Sequence, residues 1–415
     1  MTETSFNNGS KVSFDDAWHF IVKVGVAAHK YGATSGRLES LLTSLSKKMG
    51  YQGVFKSTPV ELTFAMKKSQ DSPQRIEILS VPAPDIALDK LARLGDVLKE
   101  VTSGDLSLAD ANNRMAAIDE APLPWGKFPT LLGYIFTGVG LAPLLGAGMI
   151  DTIAAALFSA LVYGVVSFSV RIGGALAAWV PLTTALIVSF LATLLKLWIT
   201  DLNILLVIIS GVAIILPGYS ISLGAGELVA QKVLSGISNL MRGLIVLFMQ
   251  IAGAVLGGAF ASLFVSVRMA GEQSPLSQFW TLSLFPLLLV GLALAFQTSK
   301  RDFPWVILVS ALAYLGVMFG SSLLDGNLGN LLGTIVAVVL ANLWARKTSR
   351  PTSIVLIPAI VMLVSGTIGF RGLASIAVGD LALGTQQFFQ MFLVAMTVVA
   401  GIMIGYTIIQ PEEGL

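Results

Sequence analysis

Along the last two-thirds of this chain apolar residues run almost unbroken, whereas along the first third they recur at intervals. Ten hydrophobic segments lie at roughly 128–148, 151–170, 175–199, 202–219, 240–266, 277–297, 303–323, 326–345, 353–370 and 386–409. Most approach the ~20 residues a helix needs to cross the hydrocarbon of a bilayer. Short polar breaks between several of them predict tight hairpins. The first third reads differently. Trp18, Val22, Gly25 and His29 recur at helical spacing, and Gly32 follows where a left-handed helix end favours glycine. Thr34 or Ser35 caps a second helix, which carries Leu38, Leu41, Leu42, Leu45 and Met49 on one face. The period then changes to two. Val60, Leu62, Phe64 and Met66 alternate with polar or small residues, and so do Ile76 and Ile78, so 51–81 reads as two or three short strands. Two more helices follow: one with Leu88, Leu91, Leu98 and Val101, ended by Gly104, and one opened by Ser107 with Leu108, Ala111, Met115 and Ile118. The pattern predicts a small α+β domain followed by a mostly helical membrane domain.

Composition sharpens that division. The chain is 55% hydrophobic and only 12% charged, with a mean hydropathy of +0.81, where soluble domains carry about 25% charged residues. Residues 1–127 hold 15 of the 26 Lys and Arg and 15 of the 24 Asp and Glu. The boundary falls at Pro122–Pro129, giving a polar domain at 1–127 and two membrane repeats at 128–270 and 271–415. The start is polar and lacks an apolar core, so no cleavable signal peptide is expected. The net charge of +2, with no block of like charges, points to no nucleic-acid partner. With no cysteine and two histidines, both in the polar domain, neither a disulfide nor a transition-metal cage is expected. No glycine-rich loop ending in Gly-Lys-Ser/Thr occurs, so ATP is not the energy source and no cofactor is expected.

Orientation follows from the basic residues. With the N-terminus in the cytoplasm, the inner loops hold Arg171, Lys232, Arg242, Lys300, Arg301, Arg346, Lys347 and Arg350, and the outer ends hold Lys196, Arg268 and Arg371. Eight against three predicts an even number of spans in the cell (inner) membrane, with both termini cytoplasmic. The chain also repeats itself. A shift of 148 residues lays PGYSISLGAGELVAQKVLSG (217–236) on SGTIGFRGLASIAVGDLALG (365–384). It carries Gly218, Gly224, Gly236, Gly253 and Gly257 onto Gly366, Gly372, Gly384, Gly401 and Gly405. About one residue in ten is glycine, so chance predicts fewer than one such match. Five spans per copy is an odd number, so the second copy is inverted, as in many secondary transporters.

With those features in place, the chain resembles the threonine/serine exporter family. The residues that carry the resemblance are YGATSGRLESLLTSLSKKMGY (31–51), LARLGDVLKEVTSGDLSLADANNRMAAIDEAP (91–122) and ILPG (215–218), in that order. The resemblance implies a cytoplasmic domain, five spans and five more. It also implies export of threonine and serine coupled to the proton gradient. Relatives split into two polypeptides resemble dicarboxylate exporters, so a succinate-like solute is the alternative. The second copy departs from the pattern, with Ser365–Gly366 where the first has Pro217–Gly218.

Two groups of candidate residues stand out. The stretch HKYGATSGRLES (29–40) places His29, Ser35 and Glu39 close in sequence, but no nucleophile elbow accompanies them. It reads as a connector, with Arg37 and Glu39 positioned for docking or gating, and no catalytic residue is expected. Charges at or inside the membrane are functional candidates by default. Glu227 with Ser220 and Ser222, and Arg371 with Thr367, occupy the two repeated glycine-rich segments. They supply an acceptor for an ammonium group and a fork for a carboxylate. Asp151, Asp201 and Asp380 are further coupling or gating candidates, whereas Arg171, Lys196 and Arg268 read as helix ends. The expected partners are a small polar solute, a proton and lipid, with an oligomer allowed. A passive channel and a membrane-bound hydrolase are the competing classes.

Overall fold

A computed structural model gives the structure of the protein and describes residues 12–173, 175–264, 274–323, 329–363 and 366–410. The polar first eleven residues, Arg268 and Ser365 lie outside the described residues.

The N-terminal region opens with α1 (Phe14–Lys30), where the Ser13 hydroxyl accepts from the Asp16 amide and so satisfies one of the free N–H groups of the first turn. Gly32 adopts φ 97°, which lets the chain turn into α2 (Ser35–Lys48). Three strands follow, β1 (Gln52–Ser57), β2 (Glu61–Lys67) and β3 (Arg75–Ser80), antiparallel in that order with Phe55 opposite Phe64 and Leu62 opposite Leu79. Leu62, Phe64 and Met66 point into the core beside Trp18, Phe20 and Leu38. A methyl group at Gly25 would meet the Phe64 ring at 2.5 Å, so α1 lies directly on the sheet. The other sheet face is open, and there Val54, Ile76 and Ile78 are about 60% exposed. The alternation identified the strands, but only the core face of this sheet is covered. Two helices complete the region: α3 (Leu88–Ser103), closed by Gly104 at φ 83°, and α4 (Leu108–Glu120), capped by Ser107.

The remainder is helical. The first set comprises α5 (Lys127–Leu144), α6 (Met149–Ile172), α7 (Ala175–Leu195), α8 (Ile204–Gly211), a 3-10 turn at Ala213–Ile215, α9 (Gly218–Val229) and α10 (Val233–Ser262). The second comprises α11 (Gln278–Ala295), α12 (Phe303–Leu323), α13 (Gly329–Thr348), α14 (Ser353–Leu363), α15 (Gly366–Ala377) and α16 (Leu381–Ile408). Among the described residues eight helical stretches are long and apolar enough to cross a membrane, and nine if α8 and the bent segment after it count as one span. The protein is therefore a multi-pass membrane protein of mostly helical fold with a small N-terminal sheet. The expected continuous helix at 202–219 is instead broken, turning by 63°. The turn falls at Val212, between Ile204–Gly211 and Ala213–Val229, and Pro217 adds a second irregularity after it. Leu216, which precedes Pro217, is held extended at ψ 131°, because the proline ring clashes with a helical predecessor.

Packing in the two sets corresponds. α7 packs on α10 as α13 does on α16, α9 on α10 as α15 on α16, and α6 on α8 as α12 on α14. The repeated glycines sit at equivalent contacts. A methyl at Gly224 would lie 2.6 Å from the Leu240 amide nitrogen, and one at Gly372 would lie 2.7 Å from that of Phe388, 148 residues further on. Gly253 and Gly257 let α10 touch the α7 backbone; Gly401 lets α16 approach the α13 backbone at Leu331, and Gly405 packs on the Val338 side chain. These pairings are compatible with two copies of one six-helix unit.

Candidate functional site

The corner at 29–40 turns one helix into the next and fastens it to the membrane helices. His29 Nε2 donates to the Pro82 carbonyl at 3.0 Å, while the Ser35 hydroxyl lies 2.6 Å from that of Ser235 at the start of α10. The histidine and serine thus take different partners. Burial pushes the His29 imidazole below its ordinary 6.5; the Pro82 bond opposes this and the Arg242 charge adds to it. Glu39 reaches Lys232 Nζ at 2.5 Å with one oxygen and accepts from the Ser57 amide with the other. Arg37 donates to the Tyr406 hydroxyl on α16 at 3.2 Å. A methyl at Gly36 would sit 3.2 Å from Lys232 Nζ, so the glycine permits this close approach.

Directly beneath lies Glu227, in the last turns of α9 and only 6% exposed. Its Oε2 accepts from Ser235 Oγ and from Asn239 Nδ2, both at 2.7 Å, and its Oε1 has no partner. A hydroxyl has one proton. Since Ser235 gives its proton to the carboxylate, Ser35 donates to Ser235, and a directed chain runs from α2 through α10 to α9. Ser222, one turn into α9, is buried with an unpartnered hydroxyl; Ser220 is half-buried.

Arg371 occupies a different place. On α15 it donates from Nη2 to the Leu145 carbonyl at 2.8 Å, and its Nε has no partner. Leu145 closes α5, whose eighteen residues run ~27 Å at 1.5 Å per residue from the N-terminal region. Glu227 therefore lies at the face that carries the N-terminal region and Arg371 at the far face, with Thr367 half-buried in the first turn of α15. Their side chains do not meet. What does meet is the start of the two helices: a methyl at Gly366 would lie 3.1 Å from the Gly218 nitrogen.

The three aspartates accept hydrogen bonds from backbone amides or a neighbouring hydroxyl. Asp151, buried in the first turn of α6, accepts from the Asn203 amide at 2.8 Å, and Asp380 caps α16 through the Leu383 amide. Asp201 is exposed in the turn before α8, with Thr200 as its partner. Two groups carry more weight than the sequence signalled. Asp302, 2% exposed, is gripped by Arg350 at 2.6 Å, and Arg350 also reaches Asp96 of α3 at 2.8 Å. Gln250, fully buried in α10, donates from Nε2 to the Ile215 carbonyl at the break before Pro217, and its Oε1 is unpartnered. The signal for Gln250 was present: it is a lone amide in the apolar run LIVLFMQIAGAVL. Asp302 and Asp96 lie 206 residues apart and gave none. Among the described residues no three His, Asp or Glu side chains cluster as metal ligands would.

Comparison with known families decides the lineage. A family model described as "Putative threonine/serine exporter" matches residues 19–261, more than half the chain, and one described as "Threonine/Serine exporter, ThrE" matches 281–408. The chain belongs to the threonine/serine exporter family. Among curated proteins, this family member is similar to the pheromone-regulated membrane protein 10 of Candida albicans, at 23% identity over 364 residues, covering 85% of this chain and 33% of the relative. The same-named protein of Kluyveromyces lactis is 24% identical over 352 residues, covering 83% of this chain and 37% of the relative. An uncharacterized protein of Schizosaccharomyces pombe is 22% identical over 368 residues, with 85% and 48% covered. The chain thus spans a third to a half of the length of these relatives. No solved structure matches. The first match ends inside α10 and the second at the end of α16.

Proposed function

We propose that this threonine/serine exporter family member is a secondary exporter of small polar metabolites, with threonine and serine as solutes and the proton gradient as the driving force. The observation that carries the reading is the meeting of α9, the second arm of a bent span, with the start of α15 at Gly218 and Gly366. Interrupted helices at a repeat interface are where secondary transporters hold their cargo. Glu227 supplies the coupling group: a buried carboxylate with one free oxygen can take a proton without losing the bonds at its other oxygen.

Lys232 and Arg350 are bonded to the N-terminal region, so the basic loops and that region share one face. On the positive-inside rule that face is cytoplasmic, giving a cytoplasmic domain at 1–127, membrane repeats at 128–270 and 271–415, and both termini inside. A hydrolase gains no support, because Ser35 is hydrogen-bonded into the Glu227 chain.

The test is reconstitution in liposomes, with efflux of labelled threonine, serine and succinate measured with and without an imposed proton gradient. Gradient-stimulated efflux of threonine and serine is expected. Stimulated succinate efflux alone would reassign the solute, and efflux indifferent to the gradient would make the protein a passive pathway.

A further inference from the structure

The break before α9 carries more than a bend. α9 is twelve residues long, and no side chain caps its N-terminus, where the first backbone N–H groups lack intrahelical acceptors. Such an end carries a partial positive charge and favours an anion. A bare helix end would not define a site on its own, but two buried polar groups face this one.

Gln250 is the first. On α10, Gly243, Leu247 and Gln250 share a face at i, i+4 and i+7. A methyl at Gly243 would meet Ile221 and the Pro217 carbonyl, and Leu247 would touch a methyl at Gly369 of α15. That face therefore touches both α9 and α15. The Gln250 Nε2 bond to the Ile215 carbonyl fixes which end of the amide is which, because a carbonyl only accepts. The free Oε1 therefore lies beside the turn that leads into α9, fully buried and an acceptor without a donor. Ser222 is the second. It follows Gly218 by one turn on the same helix stripe, 3% exposed, with an unpartnered hydroxyl.

We infer that the N-terminus of α9, Ser222 and Gln250 Oε1 form a binding site for the head group of a zwitterionic α-amino acid. The helix end and the Ser222 hydroxyl receive the carboxylate, and Gln250 Oε1 receives the ammonium. Gly366 of α15 packs against the same helix end, where even a methyl would lie 3.1 Å from the Gly218 nitrogen, so the α15 backbone forms the wall opposite the site. The pairing selects against dicarboxylates, because a second carboxylate would meet an acceptor oxygen. This inference rests on the exporter reading for its solute class.

The full chain in liposomes tests both, with threonine and succinate as probes. Gln250→Met keeps the volume and removes the acceptor; a lost hydrogen bond to a charged group corresponds to a ten- to hundredfold rise in apparent KM for threonine. Gln250→Glu adds a charge, and its expected signature is opposite shifts, with a lower KM for threonine and a higher one for succinate. A merely structural role would move the two solutes in the same direction. Ser222→Ala removes a hydroxyl that has no protein partner, so the fold is kept and threonine affinity falls. Threonine binding to the same purified proteins, read as a shift in melting temperature without any gradient, separates the two readings. A shift present in the wild type and lost in Gln250→Met, with no transport by the wild type, would leave the site standing and overturn the exporter reading. Transport by the wild type with unchanged threonine and succinate KM in all three variants would overturn the site.

Discussion

α9 and α15 share a packing pattern and differ in chemistry. Each carries a glycine in its first turn and packs through a glycine pair onto the long helix that follows. Position 227 in the first is glutamate and its counterpart 375 is serine; position 371 in the second is arginine and its counterpart 223 is leucine. The acid sits against the N-terminal region through Ser235 and Ser35, and the arginine against the far end of α5. Small residues hold the geometry because backbones must touch there, so both copies keep them. Charge does not enter that packing, and the two copies are free to differ in it. The shared geometry and the divided chemistry are separable, and variants can probe each.

The largest expected effect falls on the chemistry. Glu227→Gln keeps the size and the bonds from Ser235 and Asn239 to the side-chain oxygen but cannot exchange a proton. It should abolish gradient-driven efflux while leaving solute exchange across the membrane in the absence of a gradient. Wild-type gradient stimulation in this variant would remove Glu227 from the coupling step.

A large loss of stability is expected at the docking of the second set of helices onto α3. Arg350 and Asp302 are buried, so Arg350→Met leaves Asp302 as an uncompensated charge at a cost of about 3–5 kcal/mol in unfolding experiments. Lys232→Met breaks the more exposed pair with Glu39 and should cost less than about 1 kcal/mol. Equal losses in the two variants would mean that the two sets of helices hold the N-terminal region alike.

Shared geometry predicts matched penalties. Gly224→Ala and Gly372→Ala each place a methyl within 2.7 Å of a backbone nitrogen on the next helix, for an overpacking cost of about 1–3 kcal/mol in each. If one lowers the melting temperature and the other does not, the two contacts are not equivalent.

The smallest effects are expected in the N-terminal region. Ser35→Ala removes one hydrogen bond to Ser235 and should leave transport nearly intact, since Ser235 still donates to Glu227. Complete loss of transport in a well-folded Ser35→Ala protein would revive the enzyme reading. His29 sets a pH dependence. Its folded value is depressed, so the unfolded chain binds more protons, and stability falls as pH drops below about 6.5. His29→Gln should flatten that limb of the melting profile.

Much of the fold could be read along the chain because water and lipid act on local pattern. The helical spacing of Trp18, Val22, Gly25 and His29, the alternation around Phe64, and the apolar runs after Pro129 each name an element from its own residues. The glycine register at a shift of 148 marked matching helix contacts, since close contacts tolerate no side chain and so mark themselves. The bend at Val212 was less legible: the stretch 204–216 is apolar apart from Ser210, and hydropathy does not register a 63° turn. Of the site, Glu227, Ser222 and Arg371 stood out as polar groups in apolar surroundings. That Glu227 and Arg371 lie at opposite faces depends on where α9 and α15 begin and which way they run, which composition does not encode.

What the sequence determined by itself is therefore the division into a polar α+β part and a membrane part, the glycine register of the close helix contacts, and the short set of residues costly enough to bury that they demand a partner. Which partner each one takes was decided only in three dimensions. Ser35 joins Ser235 across 200 positions, Arg350 joins Asp96 across 254, and Gln250 reaches the turn before α9 across 35. A buried polar group must be satisfied by whatever the packed helices bring within about 3 Å. That neighbourhood is a property of helix crossings rather than of sequence spacing.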